Sequence, residues 1–379
     1  MSDPQSPMAP VLAWIVDGGL ELWAFSEASP EDGSFTMTSA SVGDQSFTGP
    51  IGTVAYDEES KILHLLATRK VDDDVQELCH TVISKHGNIT AKHAVLPDGE
   101  SSYLPADTGF LLHNRAWVIA ACVHPTTLDG DDDDEDIAWP CVFFNATQDG
   151  DVTWKRYRIN DVEVSYSRPS WMKIFSVGGR GDDSYIYTAF PGTDDQSTIR
   201  LAGIPTSQFN QLSTDSGSQW TIQEIPGIET CCAPHIVVTS GPKTHFIHVF
   251  YVWDSAVSYF TLEANEDGWI HMPNSITTDT IAFPDCPAND QVKTHTIVSA
   301  VEHNGMIWIV STQTANSIVS VSAKLDGGKI GEWQTQAEGL GLGGLGVPEP
   351  ETCAYSTLSI PHDMFDFADS ERQLARRPK

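Results

Sequence analysis

The sequence predicts an all-β fold, a six-bladed β-propeller that forms one domain over residues 1–379. Three observations lead to this prediction: a strand-and-turn pattern along nearly the whole chain, a repeat of about sixty residues, and an incomplete unit at each end. No long helical pattern, which would indicate another fold class, occurs before residue 363.

The strand pattern is clearest in residues 234–269. Short runs of alternating apolar, β-branched and aromatic residues are separated there by Gly-Pro, Asp-Ser and Asp-Gly turns. Turns at intervals of about eight to twelve residues are typical of a meander of antiparallel strands. Because one such unit cannot bury both of its faces, it needs neighbouring copies of itself.

The copies follow at a regular interval. Five units begin near residues 53, 109, 171, 235 and 297, which are about sixty residues apart. In four of them a tryptophan after an Asp/Gly-rich turn is predicted to open the outer strand: Trp154, Trp220, Trp269 and Trp333. The strands predicted for these units are, in order, 53–56, 62–68, 75–84 and 89–95; 109–112, 116–123, 139–145 and 152–158; 171–177, 185–190, 198–204 and 220–225; 235–238, 246–252 and 257–262; 296–301, 306–312, 318–323 and 332–336.

The two ends of the chain supply the sixth unit. The turn Asp17-Gly18-Gly19 predicts a hairpin of strands 11–15 and 20–25, and a third strand, 35–40, follows it. This unit lacks an innermost strand, and residues 352–360 form a spare apolar strand at the other end. Pairing the two closes a ring without an open edge. The predicted closing blade therefore consists of residues 10–41 and 352–360, and a tail follows over 361–379. The alternative is a propeller of seven blades, in which residues 360–367 form a further strand.

The charge and the cysteines limit the possible partners and the compartment. A net charge of −31 argues against nucleic acid and anionic membranes as partners, because both require a positively charged surface. It favours a small ligand that is neutral, cationic or largely apolar. The start of the chain lacks the basic and apolar segments of a secretory signal, and the seven cysteines lack metal-like spacing. We therefore expect a cytoplasmic protein.

The repeat resembles that of the fungal fucose-specific lectin propellers. The runs that carry the resemblance are Ile247-His248-Val249-Phe250, Val257-Ser258-Tyr259, Asp267-Gly268-Trp269, Ile307-Trp308-Ile309-Val310 and Trp333. The resemblance implies the propeller scaffold and a sugar site between blades, held by an arginine on the second strand and a glutamate on the third. The residues at the arginine position are Ala13, His64, Trp117, Tyr185, His248 and Trp308, and those near the glutamate position in three units are Leu22, Tyr259 and Ser320. The charged groups that would hold fucose are thus absent.

The residues at the arginine position are themselves candidate site residues. We predict His64 and His248 as catalytic, since an imidazole can polarise a carbonyl group, and Trp117, Tyr185 and Trp308 as apolar walls for a substrate. One residue per blade at an equivalent position would line a funnel or the grooves between blades. The alternative is that these side chains simply pack between neighbouring sheets.

The innermost strands supply a second group of candidates. Lys173 is predicted as catalytic and Trp171, His235 and His303 as substrate-binding, because all are polar or large where a small apolar residue would suffice. Glu302 belongs to the same group. No metal or cofactor is expected: the acidic run 129–136 does not match a calcium-binding loop, and the glycine-rich run 339–346 lacks the strand and helix of a dinucleotide site.

These observations favour a cofactor-independent enzyme of natural-product biosynthesis acting on an apolar terpenoid or polyketide substrate. Propellers of similar size in fungal secondary metabolism include the hetero-Diels–Alder enzymes of tropolone–sesquiterpenoid pathways, which this chain resembles in size and in its lack of a lectin motif. The alternatives are a lectin of non-fucose specificity and a propeller that binds other proteins.

Overall fold

A computed structural model describes most of the chain. The described residues are 8–16, 19–29, 34–42, 47–72, 75–94, 109–113, 116–123, 137–148, 151–160, 162–165, 171–178, 184–192, 198–212, 220–230, 233–283, 295–313, 317–335, 340–341, 355–361 and 365. They form strands β1 to β26, a short helix α1 (Thr206–Phe209) and a 3-10 turn (Lys85–Gly87). None of the helices in these residues is long and apolar enough to cross a membrane.

The strands form six antiparallel sheets, numbered here in ring order. Sheet 1 contains, from the inside outwards, β26 (Tyr355–Pro361), β1 (Met8–Val16), β2 (Gly19–Ser29) and β3 (Ser34–Val42). Sheet 2 contains β4 (Phe47–Asp57), β5 (Ile62–Asp72), β6 (Val75–Ile83) and β7 (Ile89–Ala94). Sheet 3 contains β8 (Gly109–His113), β9 (Ala116–Val123), β10 (Ile137–Gln148) and β11 (Asp151–Arg158), with β12 (Val164–Ser165) paired to β10.

The other three sheets follow the same order. Sheet 4 contains β13 (Lys173–Val177), β14 (Tyr185–Pro191), β15 (Thr198–Pro205) and β16 (Thr221–Glu229). Sheet 5 contains β17 (His235–Ser240), β18 (His245–Trp253), β19 (Ala256–Ala264) and β20 (Asp279–Thr280). Sheet 6 contains β21 (His295–His303), β22 (Met306–Gln313), β23 (Ser317–Asp326) and β24 (Lys329–Thr335), with β25 (Leu340–Gly341) paired to β23.

The innermost strands form a closed circle. Each packs beside the innermost strand of the next sheet, from β4 through β8, β13, β17 and β21 to β26, which in turn packs beside β4. The two ends of the chain meet in sheet 1, where β26 pairs with β1 in antiparallel register from Met8↔Pro361 to Trp14↔Tyr355. The chain is therefore an all-β propeller, and the N-terminal unit receives its innermost strand from the C-terminal end, as the sequence predicts.

The core lies between the sheets. Successive residues of a strand face opposite neighbours, so that on β14 Ile186 packs toward sheet 3 while Tyr187 packs toward sheet 5. The interface of sheets 4 and 5 holds a large apolar cluster that includes Tyr187, Val249 and Phe260. Because sheet 4 is buried on both faces, a strand such as β14 reads as a nearly continuous apolar run in the sequence.

The outer strand of sheet 5 corrects one prediction. Trp269 does not open that strand: the chain makes a single bridge between Ala264 and Ile270, and the strand that pairs with β19 is β20, ten residues further on. The cause is a closed turn in which the Asn265 side chain accepts the backbone N–H of Trp269 at 2.8 Å and the Trp269 carbonyl accepts the N–H of Asn265 at 3.1 Å. The turn directs Ile270 into the interface with sheet 4, where it is fully buried.

Two expectations concern the C-terminal residues. β26 ends at Pro361, and Phe365 is buried. The alternative seventh-blade strand over 360–367 and the tail over 361–379 fall largely on residues 362–364 and 366–379, which lie outside the described residues.

Candidate functional site

The five second-strand candidates do not share one surface. His64 faces sheet 3 and Trp117 faces back toward sheet 2, so that their rings meet between the two sheets with centroids 3.9 Å apart. The reason is register: the two residues fall on opposite faces of their own sheets, although the sequence frame aligns them. The structure thus brings His64 and Trp117 together and separates them from the other three.

The His64 ring is part of a buried aromatic stack. Its Nδ1 lies 2.9 Å from Nε2 of His80, and the His80 ring meets the Trp154 ring edge-on at 5.6 Å. His64 is 5% exposed, His80 2% and Trp117 7%, which leaves no access for a ligand. Burial lowers the pKa of His64 to about 4, although the nearby Asp57 carboxylate acts in the opposite direction. This cluster has the form of interface packing.

Tyr185 and Trp308 occupy two further positions. Tyr185 is half-buried between sheets 4 and 5, with its ring 5.4 Å from the ring of Trp269 and 5.9 Å from that of Tyr187. Trp308 lies between Ile307 and Ile309, which both pack toward sheet 5. Since side chains alternate along a strand, Trp308 faces the other way, toward sheet 1.

His248 ties sheet 5 to sheet 6. It is fully buried; its Nε2 lies 3.0 Å from the carbonyl oxygen of Gly328 and 2.9 Å from the Thr239 hydroxyl, and its Nδ1 lies 2.9 Å from the Thr261 hydroxyl. The Gly328 carbonyl also accepts the Thr239 hydroxyl at 2.6 Å. With Nε2–H donating to Gly328 and Nδ1 accepting from Thr261, the ring is neutral, and burial lowers its pKa to about 4. Both ring nitrogens are therefore hydrogen-bonded within the protein, at the interface of sheets 5 and 6.

His80 is the residue of the stack that sequence reasoning missed. It lies in β6, where Leu66 is its cross-strand partner, and it shares a face with His64 only because of the register between β5 and β6. The signal in the sequence was weak, since a histidine in an alternating strand is common. Only the pairing of the two strands brings the two imidazoles together.

The innermost strands bring together two predicted residues, Lys173 and His235, and one that was not predicted, Ser299. Lys173 is the first residue of β13, His235 the first of β17, and Ser299 lies on β21, so the three come from three consecutive blades. Ser299 Oγ lies 3.4 Å from His235 Nδ1, and the ring also hydrogen-bonds the backbone of Ala300. Lys173 and His235 both keep part of their surface exposed, whereas Ser299 is 1% exposed. We call Lys173, His235 and Ser299 the axial cluster.

The electrostatics of the axial cluster are set by burial and by the lysine. Burial lowers the pKa of His235 to about 3, and the positive charge of Lys173 acts in the same direction. At neutral pH the cluster therefore presents one ammonium group beside a neutral imidazole. Such a pair can hold and polarise an oxygen atom that gains negative charge.

Backbone packing fixes the place of Lys173. Gly109, the first residue of β8, approaches β13 so closely that a Cβ atom there would overlap the backbone N of Ile174 and would lie 2.8 Å from the carbonyl carbon of Lys173. Trp171, two residues before Lys173, is 4% exposed and packs in the cluster between sheets 4 and 5. Trp171 is therefore part of the apolar core between sheets 4 and 5.

His303 lies at the opposite end of its strand. It is next to the β21–β22 turn, where its Nε2 is 2.8 Å from Nδ2 of Asn304. Glu302 Oε1 accepts the backbone N–H of Gly305 at 2.9 Å in the same turn. His303 thus lies four residues beyond Ser299 on β21, about 13 Å along the strand from the axial cluster. Within the described residues, no group of three His, Cys, Asp or Glu side chains is placed to hold a metal ion.

The buried histidines predict how stability depends on pH. His64, His235 and His248 have folded-state pKa values of about 4, 3 and 4 against about 6.5 when unfolded, so below about pH 6.5 the unfolded chain binds more protons. Each should make the free energy of unfolding fall by up to about 1.4 kcal/mol per pH unit as the pH drops from about 6.5 to about 4. His248→Gln, which removes one such proton, should give a shallower slope in urea unfolding between about pH 7 and 5. The exposed His271→Gln is the control, and equal slopes in the two variants would contradict the prediction.

Comparison with known proteins gives the fold and no family. No protein-family model and no curated protein matches the chain. An arginine-to-alanine triple mutant of AofleA from Arthrobotrys oligospora is similar in structure, with a TM-score of 0.50 and 12% identity over 94% of this chain and 90% of that one. The periplasmic gluconolactonase PpgL of Pseudomonas aeruginosa follows with a TM-score of 0.48 and 11% identity over 86% and 83%, and an exo-1,5-alpha-L-arabinanase from a bovine ruminal metagenomic library with 0.41 and 11% over 74% and 94%. At such identities the AofleA likeness confirms the propeller as a fold and says nothing about the ligand.

Proposed function

We propose that this propeller binds a small organic molecule at the axial cluster and catalyses a cofactor-independent cyclisation of it. The observation that carries the proposal is the convergence of Lys173, His235 and Ser299 from three consecutive innermost strands. Innermost strands are the most constrained parts of a propeller, so groups held on them keep their positions when a substrate binds. Sites on rigid strands are suited to reactions whose main requirement is orientation.

The proposed chemistry uses the charge of Lys173. A cycloaddition of the hetero-Diels–Alder type forms its bonds without an external oxidant or leaving group, and negative charge builds on the carbonyl or quinone-methide oxygen in its transition state. The Lys173 ammonium would stabilise that oxygen, on the order of 2 to 4 kcal/mol for one well-placed donor. His235, neutral beside it and hydrogen-bonded to the protein, would leave the Lys173 ammonium as the one positive charge of the cluster.

Two further proposals concern the ring and its surroundings. We propose six blades, because each of the six sheets already has four strands and the circle of innermost strands closes through β26. We also propose a cytoplasmic protein whose partner is a small, largely apolar substrate. The net charge of −31 supports this choice over nucleic acid or an anionic membrane surface.

A lectin of non-fucose specificity is the second candidate. The resemblance of the repeat to that of the fungal fucose-specific lectin propellers favours it. The stack between sheets 2 and 3 disfavours a lectin, whose sugar site would lie between blades. His64, His80 and Trp117 fill the space between these two blades. A glycan array distinguishes the two: a lectin should bind at least one sugar, and the enzyme proposed here should bind none.

The test of the proposed function is replacement of Lys173. Purified protein is incubated with paired terpenoid and polyketide dienes and dienophiles, and adducts are followed by liquid chromatography and mass spectrometry. Lys173→Met should lower the rate of adduct formation by roughly a hundredfold, the effect of removing one donor to a developing oxyanion. The exposed Lys243→Met should keep the wild-type rate. A wild-type rate in Lys173→Met would exclude the axial cluster as the site.

A further inference from the structure

The six innermost strands carry an uneven charge. Lys173 is their one lysine or arginine, and it is the first residue of its strand. Their two carboxylates, Asp57 and Glu302, lie at the last and next-to-last positions of β4 and β21. Because every sheet runs from inside to outside in the same order, the innermost strands all point the same way along the axis. The cation therefore lies at one mouth of the ring and both acids lie at the other.

Short turns hold the two carboxylates at the mouth of the ring where the innermost strands end. Asp57 accepts the backbone N–H of Glu59 at 2.9 Å and the hydroxyl of Ser60 at 2.5 Å. Burial raises the pKa of the Asp57 carboxyl, but these hydrogen bonds outweigh it and the pKa is lowered. Glu302 is bound in the same way to the N–H of Gly305 at 2.9 Å. Each carboxylate thus closes the hairpin that follows its strand, and Glu302 lies three residues beyond Ser299 along β21, about 10 Å towards the opposite mouth.

We propose that the mouth at which the innermost strands begin binds a small organic monoanion, a carboxylate or an enolate, through Lys173. This inference rests on the proposed function, since it names the charge of the ligand at the same site. The ring of His235 adds no second charge, because burial and the neighbouring positive charge of Lys173 both disfavour its protonated form. A single ammonium group beside a neutral imidazole matches one negative charge and does not match a phosphate dianion.

The acidity of the whole chain does not oppose this assignment. Interactions between exposed charges are largely screened beyond about 8 Å at physiological salt. A contact between Lys173 and a bound oxygen is much shorter than that, so it dominates over distant surface carboxylates. The net charge of −31 instead slows the approach of anions at low salt.

The experiment compares two probes of equal shape, 1-naphthoate and 1-naphthamide, by isothermal titration calorimetry at physiological salt and neutral pH. On the wild-type protein naphthoate should bind at least about tenfold more tightly than naphthamide, the factor contributed by one charged hydrogen bond. Lys173→Met should remove this preference, Lys173→Arg should keep it, and the exposed Lys243→Met should leave it unchanged. As a third probe, 1-naphthyl phosphate should bind no more tightly than naphthoate.

The outcomes separate this inference from the function it rests on. If naphthamide binds as tightly as naphthoate and Lys173→Met changes neither affinity, the charge assignment is wrong while the small-molecule site stands. If neither probe binds the wild-type protein, both the assignment and the axial site are overturned. Loss of naphthoate binding in Lys173→Met together with Lys173→Arg, when both variants melt at the wild-type temperature, would also contradict a role for the charge alone.

Discussion

Replacing Gly268 with alanine is expected to lower the free energy of unfolding by about 3 kcal/mol or more. Gly268 has φ +89°, which disfavours any residue with a Cβ atom, and a Cβ atom there would overlap the carbonyl oxygen of Val177 in the next sheet. The Tyr187 hydroxyl donates to the Gly268 carbonyl at 3.2 Å and accepts the N–H of Ile270 at 3.0 Å. Both hydrogen bonds require the backbone at Gly268 to stay where it is. The variant therefore disturbs the contact between sheets 4 and 5 as well as the turn.

Gly227→Ala is the matched control for this prediction. Gly227 also has a positive φ, +69°, but a Cβ atom there would meet nothing within 4 Å. The Gly227→Ala variant therefore measures only the loss of stability caused by the positive φ, about 1 to 2 kcal/mol. Urea unfolding of both variants, followed by tryptophan fluorescence, measures the difference. Equal losses of stability would show that the contact with Val177 contributes nothing.

Replacing His248 with alanine is expected to lower the free energy of unfolding by about 3 kcal/mol. The change removes a fully buried ring and leaves a cavity between sheets 5 and 6. It also deprives the Gly328 carbonyl of the imidazole donor at 3.0 Å and the Thr261 hydroxyl of its acceptor at 2.9 Å. The variant should lose nearly the same free energy of unfolding with and without a ligand, because the lost interactions lie within the protein.

The exposed His271→Ala provides the control, with an expected change within about 0.5 kcal/mol. Chemical denaturation and the rate of the adduct assay should be measured on the same preparations. A His248→Ala protein of wild-type stability that has lost turnover would contradict the structural role and return His248 to the catalytic residues. Loss of stability with turnover retained at low temperature would support the interface role.

Much of the fold is determined locally and could be predicted from the sequence. Strand β18 is an example: residues 246–252 are predicted and His245–Trp253 is observed, because β-branched and aromatic residues between turns leave few alternatives. The pairing of β26 with β1 also followed from the sequence, since an N-terminal unit without an innermost strand and a spare C-terminal strand leave two open edges that only each other can fill. The outer strand of sheet 5 could not be predicted, because a side-chain bond from Asn265 redirected the chain.

The candidate site divides in a similar way between sequence and structure. The order of residues along the chain was enough to predict the propeller and the residue types on its innermost strands, including Lys173 and His235, because strand periodicity and repeat phase can be read from it directly. Which of these residues meet depends instead on how the strands pair and how the sheets pack in three dimensions. A shift of one residue moves a strand's side chains to the opposite sheet face, and this is why Trp117 faces back toward His64 and the unforeseen His80, while His64 and His248 each face the sheet that follows their own.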